Sequence, residues 1–403
     1  MRRQAALGLA SLLPVLAVSG CRHFKFPDEP ANYREYAYVT SGENGTVSVL
    51  DLVQMRQDRV LQVGTNPTGA AANPSRNEVY VVNTGTSGHD GSLSVIDTTR
   101  NAVTATVPLH SRPYQISVDM QGRRGYVANA GSNTVSVIDL VNHRELETIG
   151  AGEEPGLARI SPDGRTLVVS NRKAGSVSLY SVSDSGTPQL RATFGGCTGA
   201  TDIAITPKEP TQPSTKAFIA CSGADAVLGI SLAQAPNSWA ARQDASATTD
   251  HELALLKVGK TPVQLAVKPD GGEIFVSNFG SGTISEISTW TNEVGGTYPI
   301  GMQPSHGMVS ADNSTLWIAN FGGESLSLYS IDDGRITGSV RTGSGPDVLA
   351  MSADEHLLLA ADARSGDVAV IRTRDRNGPT LFTLLPAGSR PNAIAIKSFT
   401  QKP

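Results

Sequence analysis

Six side chains of this 403-residue chain have the types and spacing to do chemistry together: Gln115, Arg159, Asp202, Gln264, His306 and Asp347. His306, in Pro304-Ser-His-Gly-Met308, could serve as a general base once a carboxylate orients it. Asp347, one residue after Pro346, and Asp202 are the two carboxylates that could do so. Arg159 offers a planar fork to an anionic ligand, or an ion pair to Asp202. Each also has a plain structural use, as a hydrogen-bonded loop histidine or a salt bridge. His89, His110, His143, His251 and His356 fall at unrelated positions. A metal centre needs three or four converging ligands, so neither a metal nor a cofactor is expected. The motifs G-x-S-x-G and C-x-x-C-H and a Gly-rich phosphate loop with Lys do not stand out.

A repeat would bring the six together. A Gly/Pro turn followed by alternating small and aliphatic residues returns at Pro67, Pro113, Pro155, Ala200, Pro262, Pro304, Pro346 and Pro391. The steps are 42 to 46 residues, apart from 62 between Ala200 and Pro262, where residues 233–249 form a long loop rich in Ala, Ser, Asn and Gln. Within a step, a strand such as Gln264-Leu-Ala-Val267 leads to Pro269-Asp270-Gly271, where Pro presets φ and Gly supplies φ > 0. Ile274-Phe-Val-Ser277 follows, then a Gly/Ser/Asn loop, a third strand such as Val135-Ser-Val-Ile-Asp139, and a polar fourth such as 145–149. Period-two alternation, β-branched residues and evenly spaced turns predict antiparallel strands. Four strands per unit predict an all-β propeller of eight blades, or seven if the unit after Ala200 is degenerate. The domain starts on a second strand, Tyr36–Ser41, and stops after a first strand, Asn392–Lys397, so the C-terminal strand should complete the N-terminal blade and leave no free edge.

Inner strands of a propeller converge on its axis, where small side chains fit at core density. The fourth residue after each marker is Ala71, Ser117, Arg159, Ala204, Ala266, Met308, Ala350 or Ala395; Arg159 and Met308 break the rule. The second residue, which should approach the channel mouth, is Gly69, Gln115, Leu157, Asp202, Gln264, His306, Val348 or Ala393. Gln115, Asp202, Gln264 and His306 are the polar members of that ring. Asn83, Asn129, Asn171, Asn278 and Asn320 recur at one blade position, which points to a role in holding the loop after the second strand.

Residues 1–20 carry Arg2 and Arg3, an apolar stretch from Ala5 to Val18, then Ser19 and Gly20, the pattern of a secretory signal. The stretch is too short to count as a spanning helix. Val18-Ser19-Gly20-Cys21 is similar to a bacterial lipoprotein cleavage motif, in which the Cys21 thiol is acylated; an ordinary signal cut nearby is the alternative. Residues 21–35 read as a flexible tether, 36–398 as one domain and 399–403 as a tail. The expected place is the cell envelope, facing periplasm or exterior. Cys197 precedes one strand and Cys221 ends the next, and an oxidising compartment would favour a disulfide between them. A net charge of -4 without any Lys/Arg-rich run argues against a nucleic-acid partner.

Tyr38-Val-Thr-Ser41, Tyr80-Val-Val-Asn83, Tyr126-Val-Ala-Asn129 and Phe275-Val-Ser-Asn278, with Thr134-Val-Ser-Val-Ile-Asp139 and Gly45-Thr-Val-Ser-Val-Leu-Asp51, resemble the YVTN β-propeller repeat family over about residues 36–398. The resemblance implies a bacterial or archaeal surface or secreted propeller. It implies function less closely, because such blades also resemble those of lactonases and of periplasmic redox propellers. The expected activity is that of a lipid-anchored scaffold binding an envelope protein, polysaccharide or small ligand through Arg159, Gln115, Gln264 and His306. The alternative is a lactonase-like hydrolase or lyase using His306 with Asp347 or Asp202 at the channel mouth.

Overall fold

Middle strands such as Glu78–Asn83 and Arg124–Asn129 are near-continuous runs of apolar and β-branched residues, buried on both faces. That is the signature of a sheet sandwiched between two others rather than one with a wet side. Fourth strands such as Arg144–Gly150 alternate exposed and covered residues, as outer edges do. The computed structural model, which describes residues 29–86, 88–183, 187–207, 215–375 and 378–401, arranges these strands in eight four-stranded antiparallel sheets. Together they form an eight-bladed β-propeller. The signal segment and Cys21 lie outside the described residues.

Blades are numbered from the N-terminus. Blades 2 to 8 run from inside to outside, with innermost strands Pro67–Ala72, Pro113–Val118, Pro155–Ile160, Ala200–Ile205, Pro262–Val267, Pro304–Val309 and Pro346–Met351. Blade 1 takes its innermost strand, Pro391–Thr400, from the end of the chain, pairing it antiparallel with Tyr33–Ser41. The ring therefore closes as the mismatched ends of the repeat predict. The pairing outruns the expected bounds: Tyr33 lies opposite Thr400, and the Tyr36 and Phe399 rings lie 6.3 Å apart. Residues 33–35 thus belong to the blade and not to the tether, and 399–400 are strand and not tail, because backbone pairing and ring packing hold both.

Packing follows the same cycle. Buried apolar residues gather at every junction between neighbouring blades, for example Tyr38, Val47 and Val49 of blade 1 with Val79, Val81 and Ile96 of blade 2. The last junction is equally filled, with Leu357, Leu359 and Val370 of blade 8 against Val39 and Leu50 of blade 1. Blade 5 is complete, not degenerate. Its long loop is an insertion between the third and fourth strands that folds into a short helix, Trp239–Gln243, capped by Ser238, and a turn of 3-10 helix, Ala245–Thr248, capped by Asp244. Asp250 fastens its end, accepting from Ala233 N at 2.8 Å and from Arg191 Nη2 at 2.8 Å.

The recurring asparagines bind across the top of each blade. Asn83, Asn129, Asn171, Asn278 and Asn320 donate through Nδ2 to Ser94, Ser136, Ser178, Ser285 and Ser327 at 2.8–3.0 Å. Asn83, Asn171, Asn278 and Asn320 also pack on Gly64, Gly152, Gly259 and Gly301, in the turns that enter the inner strands of their blades. A Cβ on Gly301 would sit 2.2 Å from Asn320 Oδ1, so that turn position admits only glycine. In blade 5 the same two positions are Cys197 and Cys221, and they are joined by a disulfide with Cα atoms 4.8 Å apart. In blade 8 the asparagine is replaced by Asp362.

Candidate functional site

The residue before each inner strand adopts positive φ, as at Asn66, Arg112, Glu154, Thr261, Gln303 and Arg390, and this turn delivers the chain onto the channel wall. All eight of the residues two past the markers, from Gly69 round to Ala393, line one channel of about 330 Å³. Arg159 joins them from its fourth position. Met308 instead packs against the apolar junction that holds Trp317 and Leu349.

Within the channel the polar residues are used unequally. Arg159 Nη2 meets Asp202 Oδ1 at 3.1 Å, and Asp202 Oδ2 accepts the Leu265 N–H at 2.9 Å. Gln264 is spent on the backbone of the next blade: Oε1 accepts from Gly307 N at 2.7 Å and Nε2 donates to Gly307 O at 3.3 Å. Gln115 lines the channel against Gly69, where blades 2 and 3 approach so closely that a Cβ would lie 3.1 Å from its Cγ.

His306 stands on the channel wall, half-buried, and its ring forms no hydrogen bond or ion pair with Asp202, Asp347 or any other described residue. The anticipated histidine–carboxylate couple is therefore not assembled. Asp202 is turned to Arg159 and Leu265, and Asp347 lies in the next blade beside Ser305. Burial pushes the His306 imidazole down to about 4, against the attraction of Asp202 and with help from Arg159. It is neutral at physiological pH, with a ring lone pair unclaimed. Burial pushes the Asp347 carboxyl up, opposed by a Ser305 hydrogen bond and the Arg390 charge.

Above the channel lies a cleft of about 760 Å³, and the two adjoin, with Thr68, Asp347 and Asn392 in the walls of both. The cleft brings in residues that the repeat pattern does not single out: Glu43, Phe321, Arg364 and Arg390. The Arg364 guanidinium lies 4.2 Å over the Phe321 ring, which itself lies 6.1 Å from Phe279. Arg390, 73% exposed, pairs loosely with Glu43 at 3.6 Å. The signal in the sequence was positional. Phe279 and Phe321 directly follow the recurring asparagines, and Arg364 comes two residues after Asp362 in the same slot. No group of three or more metal-ligating side chains occurs among the described residues, and no described helix is long and apolar enough to cross a membrane.

Comparison with protein families and with curated proteins gives no match. Among solved structures, the chain is similar to the dihydro-heme d1 dehydrogenase NirN in complex with DHE, with a TM-score of 0.68 and 14% identity over 93% of this chain and 76% of that one. A 6-phosphogluconolactonase-like protein from Bacteroides uniformis gives a TM-score of 0.58 and 14% identity, covering 90% and 99% of the two chains. Hydrazine synthase of Kuenenia stuttgartiensis gives 0.52 and 17%, covering 83% and 92%. At these identities the likeness is one of fold.

Proposed function

We propose that this chain is a binding propeller that takes a small anionic ligand at the mouth of its central channel. The observation that carries the reading is the cleft adjoining the channel, with Arg364 and Arg390 lining the cleft and Arg159 and neutral His306 lining the channel. Arg364 is preorganised on the Phe321 ring, which lowers the cost of fixing it around an anion. The solved neighbours lend support, since one was captured with DHE and another is named for a phosphorylated sugar lactone.

The unclaimed lone pair of His306 favours a second reading, a lactonase-like hydrolase in which His306 draws the proton from an attacking water. It stands second because no carboxylate orients the ring. YVTN-type repeats and acylation at Cys21 belong to the same proposal, which sets the propeller in the cell envelope as a lipid-anchored protein.

Calorimetric titration with 6-phosphogluconate and with gluconate tests the site. Wild type should bind the phosphate ester in preference, and R364A/R390A should lose at least about tenfold in affinity, the loss of one charge-assisted contact. Equal binding by both proteins, or none by either, would overturn the reading. Hydrolysis of 6-phosphogluconolactone that disappears in H306A would favour the enzyme instead. For the anchor, C21S should partition into the aqueous phase of a detergent extraction, and retention in the detergent phase would refute it.

A further inference from the structure

Asp362 occupies the slot that five other blades fill with asparagine, and the chemistry around it has changed to match. An asparagine there donates to hydroxyls on the third strand, as Asn129 does to Thr134 at 3.2 Å and Ser136 at 2.9 Å. Opposite Asp362, the corresponding third-strand residues are Asp367 and Ala369. Asp362 is completely buried. Its Oδ2 accepts the Gly343 N–H at 2.9 Å, whereas Oδ1 is buried without a hydrogen-bond partner, the nearby Thr342 hydroxyl donating to Gly343 O at 3.0 Å. The two carboxylates converge over Gly343, where a Cβ would lie 2.4 Å from Asp367 Oδ1 and 2.7 Å from Asp362 Oδ2. Ionising both would set a fully buried charge against a partly buried like charge, which costs free energy.

We propose that Asp362 and Asp367 share one proton at neutral pH, and that this proton is a switch on the hairpin that carries Arg364 to the channel mouth. Protonated at Oδ1, Asp362 becomes a donor to Asp367 and does the work of the asparagine amide in the other blades. Ser365 Oγ donates to Asp367 Oδ1 at 2.8 Å. When the proton leaves, a buried anion faces a second one and the hairpin 362–367 loosens.

The remaining charges around the slot do not compensate. Glu324, from blade 7, accepts from Ser344 Oγ at 3.0 Å; Asp347, on the inner strand, lies beside Ser305; Arg364 stacks on Phe321. Burial pushes the Asp362 carboxyl up to about 7, the Gly343 N–H opposing and the Asp367 charge adding to it. A raised carboxyl contributes stability that is full below the unfolded value of about 3.9 and is lost as pH rises through the folded value. The window is therefore pH 4 to 7, with the switch thrown near neutrality.

Hydrogen exchange of the full chain between pH 5.5 and 8.5, corrected for intrinsic rates, tests the switch without any ligand, so its outcome is separate from the function of the mouth. Relative to the equivalent hairpin 320–325 of blade 7, amides of 362–367 should exchange more than about tenfold faster at pH 7.5 than at pH 5.5, with the rise falling between pH 5.5 and 7 and a plateau above, as a proton bound only in the closed hairpin requires. D362N, which restores the common asparagine, should give a flat profile, and so should D367N, which guards against misfolding of the first variant. A flat profile in wild type, or the same step in both variants, would overturn the proposal.

Discussion

Arg159 and Asp202 meet at 3.1 Å across the junction of blades 4 and 5, and through its second oxygen Asp202 also holds the Leu265 N–H of blade 6. One carboxylate thus joins three blades at the channel wall. The pair is lopsided, with the Asp202 side chain 9% exposed and that of Arg159 46% exposed. Asp202 is the anchor, and Arg159 keeps a free face for whatever enters the channel.

That asymmetry sets unequal costs. D202A leaves the Leu265 N–H without an acceptor in a buried place and should cost about 2 kcal/mol. R159A removes a half-exposed partner and should cost less than about 1 kcal/mol. Urea unfolding of the two variants measures both, and equal losses would mean that Arg159 is as structural as its partner.

His306 should remain neutral down to about pH 4. Because its folded value lies below the ordinary 6.5, the unfolded chain binds the proton first, and stability falls as pH drops from 6.5 towards 4. The full effect is roughly 3 kcal/mol. Asp362 slopes the other way over the same range, so wild type shows only the difference. H306Q should expose the Asp362 slope, seen as a melting temperature that rises on acidification, and NMR titration should find the His306 ring unresponsive between pH 5 and 8.

Reduction should act on blade 5 first. The Cys197–Cys221 bond closes 24 residues, for which chain entropy gives about 3 kcal/mol. C197G/C221N rebuilds the glycine–asparagine contact of the other blades and should recover more stability than C197A/C221A, as judged by melting in the presence of reductant.

Truncation before Pro391 removes the innermost strand of blade 1 and bares the edge of Tyr33–Ser41. The shortened chain should lose cooperative melting or aggregate. An unchanged melting temperature would mean that closure contributes nothing to stability.

Much of this was legible in the residues. A period of 42 to 46, turn chemistry and alternation fix the path of the chain, so the residue two past each marker lies on the channel, as counting implies. What counting could not supply is direction. Asp202 turns to Arg159 and Leu265 instead of His306, a choice made by the angle between blades and the nearest unpaired donor. The ends of the first blade have no local signal, because Tyr33 and Phe399 are held by each other's segments, far apart in sequence. The departure of Asp362 from asparagine is plain in the sequence. A single substitution in a repeat carries meaning only once its opposite residue, Asp367, is known.

Ser41 and Pro391, side by side at the mouth end of blade 1, lie eight residues from Tyr33 along one strand, a run of about 26 Å at 3.3 Å per residue. Asn32 and Gln401 are bonded to each other at the far end. Both ends of the domain therefore leave from the face opposite the cleft. The strand that opens the domain thus starts about 26 Å from the arginine-rimmed mouth, on the opposite side of the ring.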